Sequence, residues 1–119
     1  MDKITICSWN ANGIRDRIAG LIEFLCRLNI GIMLINETKL NKNDRLKIKG
    51  YSCIRKERQN RAGGVAVLVR KDILYQEIKL KSEVAIENIC IRLENNIHII
   101  AAYNKPLNRI SNRDLNVLL

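Results

Sequence analysis

The chain has 119 residues, 47% hydrophobic and 28% charged, and its 21 Lys and Arg against 12 Asp and Glu give a formal net charge of +9. That length allows one domain or part of one with a modest core, and the composition excludes a disordered chain. The positive balance favours a polyanionic partner, nucleic acid before an anionic membrane surface.

Residues 3–9 read as a strand, and residues 10–13 as a loop in which Gly13 can take positive φ. Residues 15–29 read as an amphipathic helix, because Ile18, Leu21, Ile22, Leu25 and Leu28 recur at three- and four-residue spacing while Asp16, Arg17, Glu23 and Arg27 fall elsewhere. Asn29 and Gly31 are its stop residues. Residues 31–36 form a continuous apolar run, as in a central strand covered on both faces. Residues 3–36 therefore read as a βαβ unit with a parallel, right-handed crossover.

Residues 40–50 are polar and basic, irregular or a short helix. A further strand is expected over 51–57, then a loop over 58–64. Residues 65–70, 73–79 and 84–93 are strand-like. The 86–93 and 97–103 pair reads as a hairpin around Glu94-Asn95-Asn96, since Asn tolerates a left-handed turn. Pro106 ends that strand. Ser111, with Asp114 three residues on, opens a helical pattern that runs to Leu119.

No segment has signal-peptide form, since Asp2 and Lys3 run straight into a strand pattern. No apolar run approaches the ~20 residues that span a bilayer. An intracellular protein, nuclear or cytoplasmic and without a membrane partner, is expected. The four cysteines (Cys7, Cys26, Cys53, Cys90) form no C-x-x-C pair and lie in apolar segments. They read as buried free thiols of a reducing compartment. A zinc site would need clustered Cys or His, and the one histidine, His98, lies between Ile97 and Ile99 and faces away from them.

Chemistry concentrates where the first two strands end. Ser8-Trp9-Asn10-Ala11-Asn12-Gly13-Ile14 follows one apolar run and Asn36-Glu37-Thr38-Lys39 the other. Parallel pairing would gather two amides and a carboxylate at one sheet edge, where α/β folds place their sites. Oxygen donors of this kind suit a hard cation such as magnesium, with water and substrate phosphate completing its shell. Each residue also has a plainer reading: Glu37 as an exposed strand end, Asn10 and Asn12 as turn residues, Trp9 as core or wall, Tyr103 as a strand-end tyrosine. The basic residues Arg55, Lys56, Arg58 and Arg61 are either a solvated face or phosphate contacts. Gly63-Gly64 lacks the Lys-Ser/Thr of a P-loop.

Together these segments resemble the endonuclease/exonuclease/phosphatase superfamily, in particular the endonuclease domain of non-LTR (LINE-type, jockey-like) retrotransposons. The resemblance rests on Ile6 to Ile14, on Asn36-Glu37-Thr38-Lys39 as the Glu-Thr motif, on Arg61 to Val69 as the Gly-rich strand, and on Ala102-Tyr103-Asn104-Lys105-Pro106 as the Tyr-x-x-Pro segment. It implies an α/β (α+β) fold, the deoxyribonuclease I-like two-sheet sandwich, here a mixed sheet with its outer helix. It implies a magnesium cofactor, or manganese in its place. Glu37 and Asn10 would be metal ligands and, with Tyr103, catalytic residues. Asn12 would be a further ligand at a position that is Asp in some relatives. Lys39, Arg55, Lys56, Arg58 and Arg61 would bind nucleic acid. The reaction implied is DNA nicking, leaving a 3′ hydroxyl that primes a reverse transcriptase domain on the same chain.

The later family motifs, Gly-Asp-x-Asn and Ser-Asp-His, do not occur in these 119 residues. Residues 1–119 therefore read as one partial domain, truncated at its C-terminus and inactive by itself. One sheet with its outer helix is expected, with the inner sheet face uncovered, marginal stability and self-association. A non-catalytic basic nucleic-acid-binding remnant and another phosphodiesterase or phosphatase of the same fold are the alternatives.

Overall fold

The computed structural model describes residues 3–56, 63–79 and 87–103. Seven strands and one helix appear among them: β1 (Ile6–Asn10), α1 (Ile18–Arg27), β2 (Ile32–Asn36), β3 (Tyr51–Lys56), β4 (Val65–Arg70), β5 (Tyr75–Ile78), β6 (Glu87–Leu93) and β7 (His98–Tyr103). A single 3-10 turn, Arg15–Arg17, precedes α1.

The first sheet runs β1-β2-β4-β3. β1 and β2 are parallel, as the βαβ reading requires, and β4 is antiparallel to both of its neighbours. The sheet is mixed, as expected. The second sheet is the antiparallel meander β5-β6-β7. Its hairpin closes at Asn96, which takes φ 67° and donates its N–H to the Leu93 carbonyl.

Side-chain alternation divides the first sheet into two faces. Met33 and Ile35 of β2 and Ala66 and Leu68 of β4 face α1, where they join Leu21 and Leu25. Leu40, Leu46 and Ile48 of the β2–β3 connection complete that cluster. Ile32, Val65, Val67, Val69 and Ile54 face the other way and pack on Ile89, Ile91, Leu93 and Ala101 of the second sheet. A central strand buried on both sides explains the unbroken apolar runs of β2 and β4.

This arrangement corrects the expected uncovered sheet. The inner face of β2, β4 and β3 is covered, because β5, β6 and β7 form a second sheet and β6 and β7 pack across the first. The self-association expected from an open apolar face loses its physical basis over these strands. Ile6 of β1 remains 46% exposed.

The helix starts later than its periodicity suggests. Arg17 donates to the Ile14 carbonyl at 2.9 Å, which tightens residues 15–17 into a 3-10 turn. It ends at Arg27, two residues before the expected end, and Asn29, an expected stop residue, takes φ 50° just beyond it. Its buried stripe is Leu21 and Leu25 with Ile18 and Phe24 beside them, while Ile22 and Leu28 are exposed. The four cysteines form no disulfide, but Cys26 is exposed on α1 and Cys7 and Cys53 are only half-buried; Cys90 alone is buried. Burial pushes the Cys90 thiol up. The expected loop at 58–64 lies mostly outside the described residues, as do Pro106 and the helical pattern after Ser111.

Candidate active site

The parallel pairing of β1 with β2 sets Asn10 opposite Asn36. The ladder continues beyond the strand ends: Ala11 donates to Asn36, Gly13 to Glu37 and Ile14 to Thr38, at 2.9, 2.9 and 3.1 Å. From the other side, Thr38 and Lys39 donate to the carbonyls of Gly64 and Gly63 at 3.2 and 2.9 Å. Three segments, 10–14, 36–39 and 63–64, are thus laced at one rim of the sheet.

The lacing bends the backbone sharply. Asn12, Glu37 and Lys39 take φ of 46°, 53° and 54°, and Gly13, Gly63 and Gly64 take 94°, 87° and 90°. Gly64 is required twice over. Its φ suits glycine, and a Cβ there would lie 2.6 Å from Thr38 Oγ1 and 3.4 Å from the Lys56 carbonyl oxygen.

Within this frame Asn10, Asn12, Glu37 and Lys39 come together. Asn10 Oδ1 accepts the Asn12 backbone N–H at 3.1 Å, an Asx turn that shapes the loop. Lys39 Nζ donates to Asn12 Oδ1 at 2.6 Å. Glu37 is half-buried and has a further interaction of its own. The Asn12 oxygen, one of the expected metal ligands, thus accepts from the Lys39 ammonium group.

Beside these residues is a cleft of about 470 Å³ lined by Asn12, Gly13, Arg15, Asp16, Arg17, Thr38 and Lys39. The sequence reading sets Arg15, Asp16 and Arg17 in the first turn of the helix over 15–29, with Asp16 and Arg17 off its apolar face. Their position directly after the Asn-Gly turn is the signal that places them at the rim. Arg15 is paired with Asp44, whose carboxylate raises the guanidinium pKa by hydrogen bonding and charge. A second cleft, about 600 Å³, opens between β1 and α1 against Cys7, Trp9, Leu21, Phe24 and Met33, which makes Trp9 a wall residue.

The other expected site residues divide. Lys56 shares a cross-sheet row with Val65, Asn36 and Asn10. Three strand spacings separate it from Asn10, ~14 Å. Arg55 is half-buried on the edge strand β3, and its guanidinium donates to the Asn41 carbonyl at 2.9 Å. It ties down the β2–β3 connection. Tyr103 closes β7 opposite Glu87; its side chain, like Arg58 and Arg61, lies outside the described residues. His98 is exposed at the start of β7. Among the described residues no three His, Cys, Asp or Glu side chains cluster. A cation at this rim would thus rest on fewer than three such side chains, with amide oxygens, water and substrate completing its shell, a donor set that fits magnesium, which retains several waters beside one or two carboxylates.

Two face-to-face sheets with amides and a carboxylate at the ends of parallel strands define the deoxyribonuclease I-like class of α/β sandwich. Comparison with known proteins gives the family: residues 7–101 match the endonuclease/exonuclease/phosphatase family, and the chain belongs to it. Its fold is similar to that of an AP endonuclease from Archaeoglobus fulgidus, with TM-score 0.66, 21% identity, and 85% of this chain and 41% of that one covered. It is also similar to a 3′ phosphatase from Neisseria solved with a product DNA hairpin, with TM-score 0.63, 20% identity and coverage of 82% and 40%. A curated relative, a probable RNA-directed DNA polymerase from transposon BS of Drosophila melanogaster, is 28% identical over 120 residues. That match takes in 95% of this chain and 13% of the relative. The chain thus spans about two fifths of these solved structures and a small part of the polymerase. No helix among the described residues is long and apolar enough to cross a membrane.

Proposed function

We propose that the chain carries the metal- and phosphate-holding part of a DNA phosphodiester hydrolase that nicks DNA in retrotransposition. The observation that carries this reading is the lacing of residues 10–14 to 36–39, which holds the backbones of Asn10, Asn12, Glu37 and Lys39 at one rim and sets the Lys39 ammonium group on the Asn12 amide oxygen. Family membership and the likeness to a transposon polymerase support it.

Glu37 would hold a divalent cation, magnesium or manganese in its place, with Asn10 beside it. When bound, such a cation stabilises the charge that grows on phosphate oxygens. Asn10 Oδ1, already accepting from Asn12, keeps a second lone pair, and its amide N–H groups can donate to a phosphate oxygen. Asn12 holds Lys39 rather than the cation, since an ammonium on its oxygen repels a second positive charge. Lys39, so held, faces the cleft as a phosphate partner. Tyr103 would donate its hydroxyl to the scissile phosphate.

The sequence has one histidine, His98, at the opposite end of β7 from Tyr103, five residues or ~16 Å along the strand. In this reading His98 is not the base that activates water, and these 119 residues alone do not turn over. A 3′ hydroxyl left by the nick would prime a reverse transcriptase domain on the same polypeptide.

Manganese titration followed by electron paramagnetic resonance, in the presence of a short DNA duplex, tests the site. Glu37→Gln should weaken manganese binding at least tenfold, and equal affinity in the two proteins sinks the assignment. A parallel plasmid assay should show no nicking by the chain alone. Nicking that vanishes in Glu37→Gln would keep the reaction and overturn the statement about the base.

A further inference from the structure

The β2–β3 connection carries charge that the candidate site does not use. Residues 40–50 contain Lys42, Arg45, Lys47 and Lys49 against one carboxylate, Asp44. Four cations less one anion leave +3 on eleven residues. All four cations are exposed, and among the described residues no hydrogen bond or ion pair holds any of their side chains.

Their backbone is well held. Asn41 Oδ1 accepts the N–H groups of Asn43 and Asp44 at 2.9 and 3.1 Å, and Asp44 Oδ2 accepts the Asn41 N–H at 2.9 Å. The same Asp44 carboxylate pairs with Arg15, and Arg55 holds the Asn41 carbonyl. Beyond this turn Leu46 and Ile48 are buried in the core under the first sheet, so Arg45, Lys47 and Lys49 alternate outward. At the far end Lys71 donates to the Gly50 carbonyl at 2.9 Å. The near end adjoins Lys39 and, through Asp44, Arg15, both in the cleft at the candidate site.

We propose that Lys42, Arg45, Lys47 and Lys49 form a rail for the nucleic-acid backbone, running from the candidate site across the helix-bearing face of the first sheet. This rests on the reading of that site as one for DNA. A fixed backbone places the charges in advance, so binding does not have to order the loop. The one carboxylate of the segment, Asp44, is bonded to Arg15 and to the turn itself. A membrane surface is a poorer match, because every apolar residue of the segment (Leu40, Leu46, Ile48) is buried and none is left to enter the lipid interface.

Anisotropy of a labelled DNA duplex, titrated with salt in EDTA so that no cleavage intervenes, measures the contacts. Each phosphate contact contributes about 0.9 to the slope of log K against log salt. Replacing all four residues by Gln should lower the slope by two units or more, toward ~3.6 for four contacts. Lys79→Gln, on an exposed cation just after β5, should leave it unchanged. Equal slopes for the four-site variant and wild type, or no duplex binding at all, overturn the rail. So does binding to phosphatidylserine vesicles that the four-site change abolishes while the DNA slope stays. The site reading fails separately, through manganese affinity indifferent to Glu37→Gln, and the salt slope is independent of that result.

Discussion

Gly64 shows how one missing side chain supports the site. Its carbonyl accepts from Thr38 while its Cα sits against the Thr38 hydroxyl, and Thr38 is only 2% exposed. Gly64→Ala introduces both an unfavourable φ and an overlap with atoms that cannot retreat. We expect a loss of at least ~2 kcal/mol, read as a lower urea midpoint with unchanged slope. Because Thr38 and Lys39 hang from Gly64 and Gly63, the same change should disturb the rim. Another glycine, Gly20, has open space where a Cβ would lie, and Gly20→Ala on α1 is its natural control.

At the scale of elements, the β2–β3 connection behaves as a structured part despite having no strand or helix between Leu40 and Gly50. Asn41 organises it through two side-chain hydrogen bonds. Asn41→Ala deletes both and keeps the carbonyl that Arg55 holds, so it should cost ~1 kcal/mol. Amide exchange at Asn43 and Asp44 should accelerate while Ile48, held by its buried side chain, changes little. The sequence made β1, the Asn-Gly turn, α1 and β2 legible, because their signals are local: apolar period, a stop residue, an apolar run. It also brought Asn10 and Glu37 to one edge correctly. It did not reveal the anchored connection, since Leu40, Leu46 and Ile48 are spaced too irregularly among cations to show a period. Arg55 looked like a surface cation because its partner, Asn41, is fourteen residues away and offers a backbone oxygen. The second sheet was hidden for a similar reason. Strand-like segments after residue 73 were visible, but whether they extend the first sheet or cross it depends on long-range contacts.

Across the whole molecule, the apolar layer between the sheets joins β2, β3 and β4 to β6 and β7. Ile91 lies in that layer with no exposed surface. Ile91→Ala should cost ~2–4 kcal/mol. The single tryptophan reports from elsewhere: Trp9 packs against the cluster on the opposite face of the first sheet. If the layers fold as one unit, Trp9 fluorescence and far-UV circular dichroism should shift to the same lower midpoint in that variant. A fluorescence midpoint that stays at the wild-type value would show that the two sheets melt separately. The twisted rim has a consequence for how the chain tolerates change. Glu37 and Lys39 occupy a left-handed backbone that glycine or asparagine adopts more easily. Selection for robustness alone would replace them, so a copy of this sequence released from its task should drift toward Gly or Asn at positions 37 and 39 and gain stability as it loses its charged pair.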